Sequence, residues 1–233
     1  MSVEIHELNG FGLKGRELNH RSLFEFAQSF CREQSLINHT DLIGVTDGKA
    51  VGTYVEHKFQ NALVDEFGEI EVGNSARGID IPDPRLMTDI KVTSVRQPQS
   101  SCPYKDASQK IFGLGYNLLL FVYEKQDTPT ECKLIFVNCA FIAMDRTADY
   151  TTTKRLIEMV ADGANVDDIE AYLFDRNIPG DEITLRSLAE RIIANPPKQG
   201  YLTISNALQW RLQYGRVITL ENKVEGIDNY DAK

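Results

Sequence analysis

The sequence predicts an α/β (α+β) fold, a central mixed β-sheet flanked by helices, with a helical C-terminal part. Three observations lead there. LLLFVYEK (118–125) and KLIFVNCAFIAM (133–144) are short runs rich in Leu, Ile, Val and Phe, the composition of strands covered on both faces. Amphipathic helical patterns precede them, and three more follow in succession after about residue 150. Apolar residues make up 42% of the 233 and charged residues 25%, so the chain can bury a core and is not wholly disordered.

The elements follow in order. In 21–31, Leu23, Phe24, Ala27, Phe30 and Cys31 share one helical face. A second helix is predicted over 52–67, with Tyr54, Val55, Phe59, Ala62, Leu63 and Phe67 on one side and Gly68 as its stop. Residues 68–81 read as extended chain, and Pro82-Asp83-Pro84 breaks it. MTDIKVTSV (87–95) alternates polar and apolar residues, so the two segments predict a hairpin. RQPQSSCPYKD (96–106) reads as a polar interruption and ASQKIFGLGY (107–116) as a short helix ending at its glycines. The buried strands come next, then helices over 152–163, 165–176 and 182–195, the last ended by Pro196-Pro197. A further helix near 204–213, a strand at 216–222 and a frayed final ten residues complete the prediction. The expected layout is an α/β core over 1–150 with a mainly helical part, 151–233, packed on it as one compact domain.

Charge narrows the function. The net charge of −9 excludes a generally polycationic binder. It is unevenly spread: residues 1–83 carry −7, residues 84–125 carry +3 and residues 145–193 carry −5. An anionic polymer would therefore be met by the middle of the chain. The four cysteines form no CxxC pair and give no zinc signature with the four scattered histidines. A reducing cytoplasm is the expected compartment, with no signal peptide, no membrane association and no organic cofactor.

The informative segment is Gly78–Ser94, GIDIPDPRLMTDIKVTS. A hairpin turning on Pro82–Arg85 sets Asp80 close to opposite Asp89, and cross-strand neighbours have Cβ atoms about 4.5–5.5 Å apart. Two carboxylates that close repel unless a cation lies between them. Lys91, two residues from Asp89, shares its face. Two acids and an ammonium on one face suit a hard divalent ion, which takes oxygen ligands. Ser94 to Lys110 leaves this strand directly and carries Arg96, Lys105 and Lys110 with Gln97, Gln99, Ser100 and Ser101 interleaved. Those are donors suited to phosphates and base edges.

This constellation resembles the PD-(D/E)xK nuclease superfamily and, within it, the type II restriction endonucleases. Asp80 matches the first acid of the motif and Asp89-Ile90-Lys91 the DxK element. Glu56, 24 residues upstream of Asp80, matches an additional helix acid. The literal Pro-Asp pair is Pro82-Asp83, but Asp83 sits within the tight turn, so Asp80 is preferred. The resemblance implies a restriction-endonuclease-like core and metal-assisted phosphodiester hydrolysis, with Glu56, Asp80, Asp89 and Lys91 as catalytic residues. Mg²⁺, with Mn²⁺ as a substitute, would be held by Asp80, Asp89, the Ile90 carbonyl and Glu56. Lys91 would orient or help deprotonate the attacking water and offset charge on the phosphorane. Double-stranded DNA would be bound by Ser94, Arg96, Gln97, Gln99, Ser100, Ser101, Lys105 and Lys110, and a palindromic site implies a homodimer. Alternatives are a repair or junction-resolving nuclease of the same fold, or a catalytically idle DNA-binding relative.

Other features have plainer readings. Cys102 is an incidental small residue, and His57 faces away from Glu56 as a structural side chain. Pro196-Pro197 disfavours a helix-turn-helix over 183–215. Trp210 and Tyr214, at i,i+4 spacing, are core or interface contacts.

Overall fold

A computed structural model describes residues 16–73, 78–102, 106–205 and 210–231. Helix α1 (His20–Leu36) opens on a capping box in which the Asn19 side chain accepts from Ser22 N and Ser22 Oγ accepts from Asn19 N. Helix α2 (Gly48–Phe67) starts four residues earlier than its apolar spacing predicts, because Asp47 caps it through Lys49 N. It stops at Gly68, whose φ of 81° suits glycine.

The central sheet contains β1 (Thr88–Ser94), β3 (Asn117–Asp127), β4 (Cys132–Ile142) and β7 (Ile227–Asp231), in the order β1-β3-β4-β7. Strand β1 runs parallel to β3, and the remaining pairings are antiparallel, so the sheet is mixed as predicted. Strand β2 (Gln99–Cys102) starts a second, antiparallel sheet with β5 (Thr203–Ile204) and β6 (Trp210–Gln213), in the order β2-β6-β5. Helices α3 (Ser108–Phe112), α4 (Tyr150–Ala161), α5 (Val166–Asp175), α6 (Glu182–Ala194) and the single-turn α7 (Gly215–Ile218) complete the fold.

Three cores follow from this arrangement. Phe26, Phe30 and Phe59 of α1 and α2 pack on one sheet face with Leu119, Phe121 and Phe136. The other face buries Leu118, Leu120 and Val122 against Leu212, Tyr214 and Val217. Helices α4–α6 form a third, around Leu156, Leu173, Leu185 and Ile192. The successive residues 118–122 thus point alternately into two cores, which is why that run carries no polar residue.

Five expectations are corrected. The hairpin is one bridge, Ile81↔Thr88, rather than two strands, because the next outward N–H of β1, that of Ile90, donates to the Asp80 side chain instead of to a partner backbone. The polar interruption contains β2. Residues 204–213 are not a helix: Leu212 and Tyr214 are buried and Arg211 and Gln213 exposed, a period of two that pairing with β2 fixes. Residues 216–222 hold the end of α7 rather than a strand. The strand comes later, since Ile227–Asp231, expected to fray, covers the outer edge of β4.

Candidate active site

The bridge Ile81↔Thr88 sets the register in which Asp80 stands across from Asp89. Here β1 is an edge strand of the sheet, so some of its backbone groups point outward. The outward N–H of Ile90 donates to Asp80 Oδ2 at 2.7 Å. A strand residue's N–H and C=O lie toward the same edge, so the Ile90 carbonyl faces the acid side too. From the other side comes Glu56 on α2, whose carboxyl contacts that of Asp80, which in turn contacts Asp89. Lys91 Nζ lies 2.6 Å from Asp89 Oδ2.

Three carboxyls and one ammonium are thus held together, Asp89 buried and Glu56, Asp80 and Lys91 half-buried. Asp89 is 3% exposed. Its carboxyl is pushed up to about 7, first by burial and also by the neighbouring Asp80, against the downward pull of Lys91. Asp80 and Glu56 are likewise raised, first by burial, and each also by one of the other acids. Burial works against the charge on Lys91, but Asp89, by charge and hydrogen bond, and Asp80 hold its ammonium above the usual lysine range.

Asp83 behaves differently. It lies in the turn, where Arg85 Nε and Nη2 reach its two oxygens at 2.8 and 2.5 Å and Arg85 N donates at 3.0 Å. Hydrogen bonding from the guanidinium holds this carboxyl below its ordinary value. Its charge is spent inside the turn.

A cleft of about 740 Å³ opens over the acid edge. Glu56, Ile90, Lys91, Ser94, Gln97, Gln99, Ser100 and Ser101 line it. Arg96 is exposed and lines an adjoining groove together with Ser94 and Lys125. Lys105 lies outside the described residues. Lys110 is a correction: at 2% exposed it is buried on α3, its backbone carbonyl accepting from Asp149 N. Its side chain faces the Asp149 charge and is unavailable to a polymer in the cleft. The apolar neighbours Ile111 and Phe112 draw this short helix into the third core.

Sequence reading missed Lys49 and Thr53 of α2 and Arg211 of β6, which also line the cleft. Nothing local marks Arg211; only its pairing with Ser101 brings it there. Among the described residues no three His, Cys, Asp or Glu side chains form a ready-made metal cage. The acids make an open chain whose end, Asp89, is turned onto Lys91. The donor set itself suits a hard divalent ion: carboxylate oxygens, a carbonyl facing the same edge, and like charges whose repulsion a cation relieves.

The mixed sheet with its flanking helices is that of a restriction-endonuclease-like core, the fold of a class of site-specific deoxyribonucleases. A family model described as type II restriction enzyme NspV matches residues 17–229. The curated type II restriction enzyme NspV of Nostoc sp. (strain ATCC 29411 / PCC 7524) is 51% identical over 203 residues, 86% of this chain and 91% of the relative. The chain belongs to the NspV family of type II restriction enzymes. No solved structure matches it.

Proposed function

We propose that this enzyme is a Mg²⁺-dependent endonuclease that hydrolyses both strands of double-stranded DNA at a specific sequence, acting as a homodimer. The observation carrying this reading is the contact chain Glu56–Asp80–Asp89 beside Lys91, whose ends Glu56 and Lys91 line an open cleft. Burying like charges costs stability that no packing gain at this edge repays, so their juxtaposition points to a ligand. Family membership makes that ligand's purpose DNA cleavage.

Asp80, Asp89, Glu56 and the Ile90 carbonyl would hold the divalent ion, Mg²⁺ or Mn²⁺. Bound there, such an ion lowers the pKa of a water and neutralises charge on the scissile phosphate. The other steps belong to the protein. Asp80 accepts from Ile90 N, which fixes its carboxylate against the strand before substrate arrives. Asp89 loses its proton near neutrality and keeps Lys91 charged. Lys91, an ammonium in this setting, donates to the phosphate or orients the attacking water rather than abstracting its proton. Ser94, Arg96, Gln97, Gln99, Ser100 and Ser101 offer donors along the cleft and its adjoining groove, where the DNA would run.

Two copies are needed because a palindromic site presents the same sequence once per strand. No helix among the described residues is long and apolar enough to cross a membrane. On this reading the protein works in the cytoplasm, with its substrate.

Digestion of a fully sequenced genome with Mg²⁺, followed by sequencing of the fragment ends, tests the proposal. Discrete fragments sharing one symmetric terminal sequence are expected. Preference for branched DNA without common ends would favour a junction-resolving nuclease, and tight binding with no cleavage in Mg²⁺ or Mn²⁺ an idle relative.

A further inference from the structure

The acid edge explains cutting but leaves the opposite wall of the cleft unexplained. That wall is the ribbon of β2 and β6, paired Gln99↔Gln213, Ser100↔Leu212, Ser101↔Arg211 and Cys102↔Trp210. Strand alternation sorts its side chains onto two faces. Cys102 and Leu212 turn into the second core, and Ser100 Oγ lies 2.5 Å from the hydroxyl of the fully buried Tyr214. The other face carries Gln99, Ser101, Arg211 and Gln213: two amides, a hydroxyl and a guanidinium, with no carboxylate. Ser101, Arg211 and Gln213 are exposed, and Gln99, Ser101 and Arg211 line the same cleft as Glu56 and Lys91.

Arg211, like Arg96 of the adjoining groove, belongs to the arginines without a carboxylate partner among the described residues. Arg85, Arg146 and Arg186 each engage a carboxylate, whereas among the described residues no salt bridge holds the Arg211 guanidinium. Among the described residues its donors meet no carboxylate, in a chain that is otherwise rich in acids. A two-stranded ribbon fits the major groove, about 12 Å wide. Same-face residues two apart on a strand are separated by about 6.8 Å, close to two base-pair steps of about 3.4 Å.

We propose that the solvent face of the β2–β6 ribbon reads base edges in the major groove. In this assignment Arg211 contacts N7 and O6 of a guanine through its forked donors, and Gln99 and Gln213 contact neighbouring base pairs. This deepens the proposed function and rests on it. Two positioning residues couple reading to cutting. Tyr214 fixes Ser100 from beneath the ribbon. Thr93, two residues beyond Lys91 on β1, accepts from Gln99 N at 3.2 Å through its hydroxyl, which also lies 3.1 Å from the Gln97 carbonyl. A displacement of the ribbon is thereby felt at the strand that carries Lys91.

The test compares the full-length enzyme with Arg211→Ala and Gln213→Ala on a DNA library in which every position of the cleavage site is varied. Arg211→Ala is expected to lower kcat/KM on the preferred site roughly 5- to 150-fold and to abolish discrimination at a single G·C pair. Gln213→Ala should relax an adjacent position instead. Both should keep the wild-type Mg²⁺-induced rise in Tm, since neither touches the acids. A loss uniform across all sequences with a shallower salt dependence would make Arg211 a phosphate contact and overturn the assignment. Unchanged discrimination in both variants would overturn it as well. Absence of site-specific ends from the wild-type enzyme would instead overturn the reading on which this one rests.

Discussion

Two buried aspartates, Asp89 and Asp149, are equally enclosed, each 3% exposed, yet their surroundings differ in kind. Asp149 is the N-cap of α4. It accepts from Thr152 N at 2.8 Å, Thr152 Oγ1 at 2.6 Å and, through its second oxygen, Ile204 N at 2.9 Å. Those bonds join α4 to β5, and each buried donor there finds its acceptor. Asp89 has another acid beside it and one lysine against it, and its carboxyl rises to about 7. Burial alone therefore does not mark a functional acid. The distinguishing feature is a local charge balance that the protein leaves incomplete.

If this contrast holds, the two residues fail in different ways. Asp89→Ala should lower cleavage by about 10³-fold or more, since several kcal/mol of transition-state stabilisation are lost at about 1.36 kcal/mol per decade. Its circular dichroism should match the wild type; retained activity would move the catalytic centre elsewhere. Lys91→Ala should cost about 10²–10³-fold in kcat while keeping the Mg²⁺-induced shift in Tm. Loss of that shift would contradict its role as a donor to substrate.

Asp149→Ala should act through stability. Losing the cap and leaving Ile204 N unpaired predicts about 2–4 kcal/mol in urea unfolding, with kcat of the remaining folded enzyme near wild type.

Acidity sharpens the contrast further. An aspartate whose carboxyl titrates near 7 in the fold and near 3.9 when unfolded favours folding most below about pH 4, and this contribution is lost as pH rises through 7. Without metal, Asp89 should thus cost up to a few kcal/mol above neutrality, and Mg²⁺ should raise Tm more at pH 8 than at pH 5.5. An equal rise at both values would count against Asp89 as a ligand.

The smallest effect separates Asp80 from Asp83. Asp80→Asn should impair cleavage, whereas Asp83→Asn should leave kcat intact and lower Tm by no more than about 4 °C, because Arg85 is largely solvent-screened.

Much of the acid edge was legible in the sequence for a local reason. A turn centred between Pro84 and Arg85 fixes which residues face each other across it, so 80 and 89 pair by symmetry. Helices α1 and α2 were legible because a single apolar face sets their period. The ribbon was hidden because its pairing spans more than a hundred residues of chain, and Ile204, Leu208 and Leu212, spaced by four, mimic a helical stripe. Likewise IDNYD is too polar to announce a strand; it pairs because the edge of β4 needs a partner. Lys110 looked like a phosphate contact because its burial depends on α3 docking against Asp149, a contact 39 residues away in sequence.

The ribbon's long-range pairing has a consequence for biosynthesis. Residues Glu56 to Lys91 leave the ribosome well before Trp210–Gln213 exist to meet β2. On the proposed assignment, the wall that reads bases is therefore completed only after the acid edge has been synthesised, and discrimination is the last property the growing polypeptide acquires.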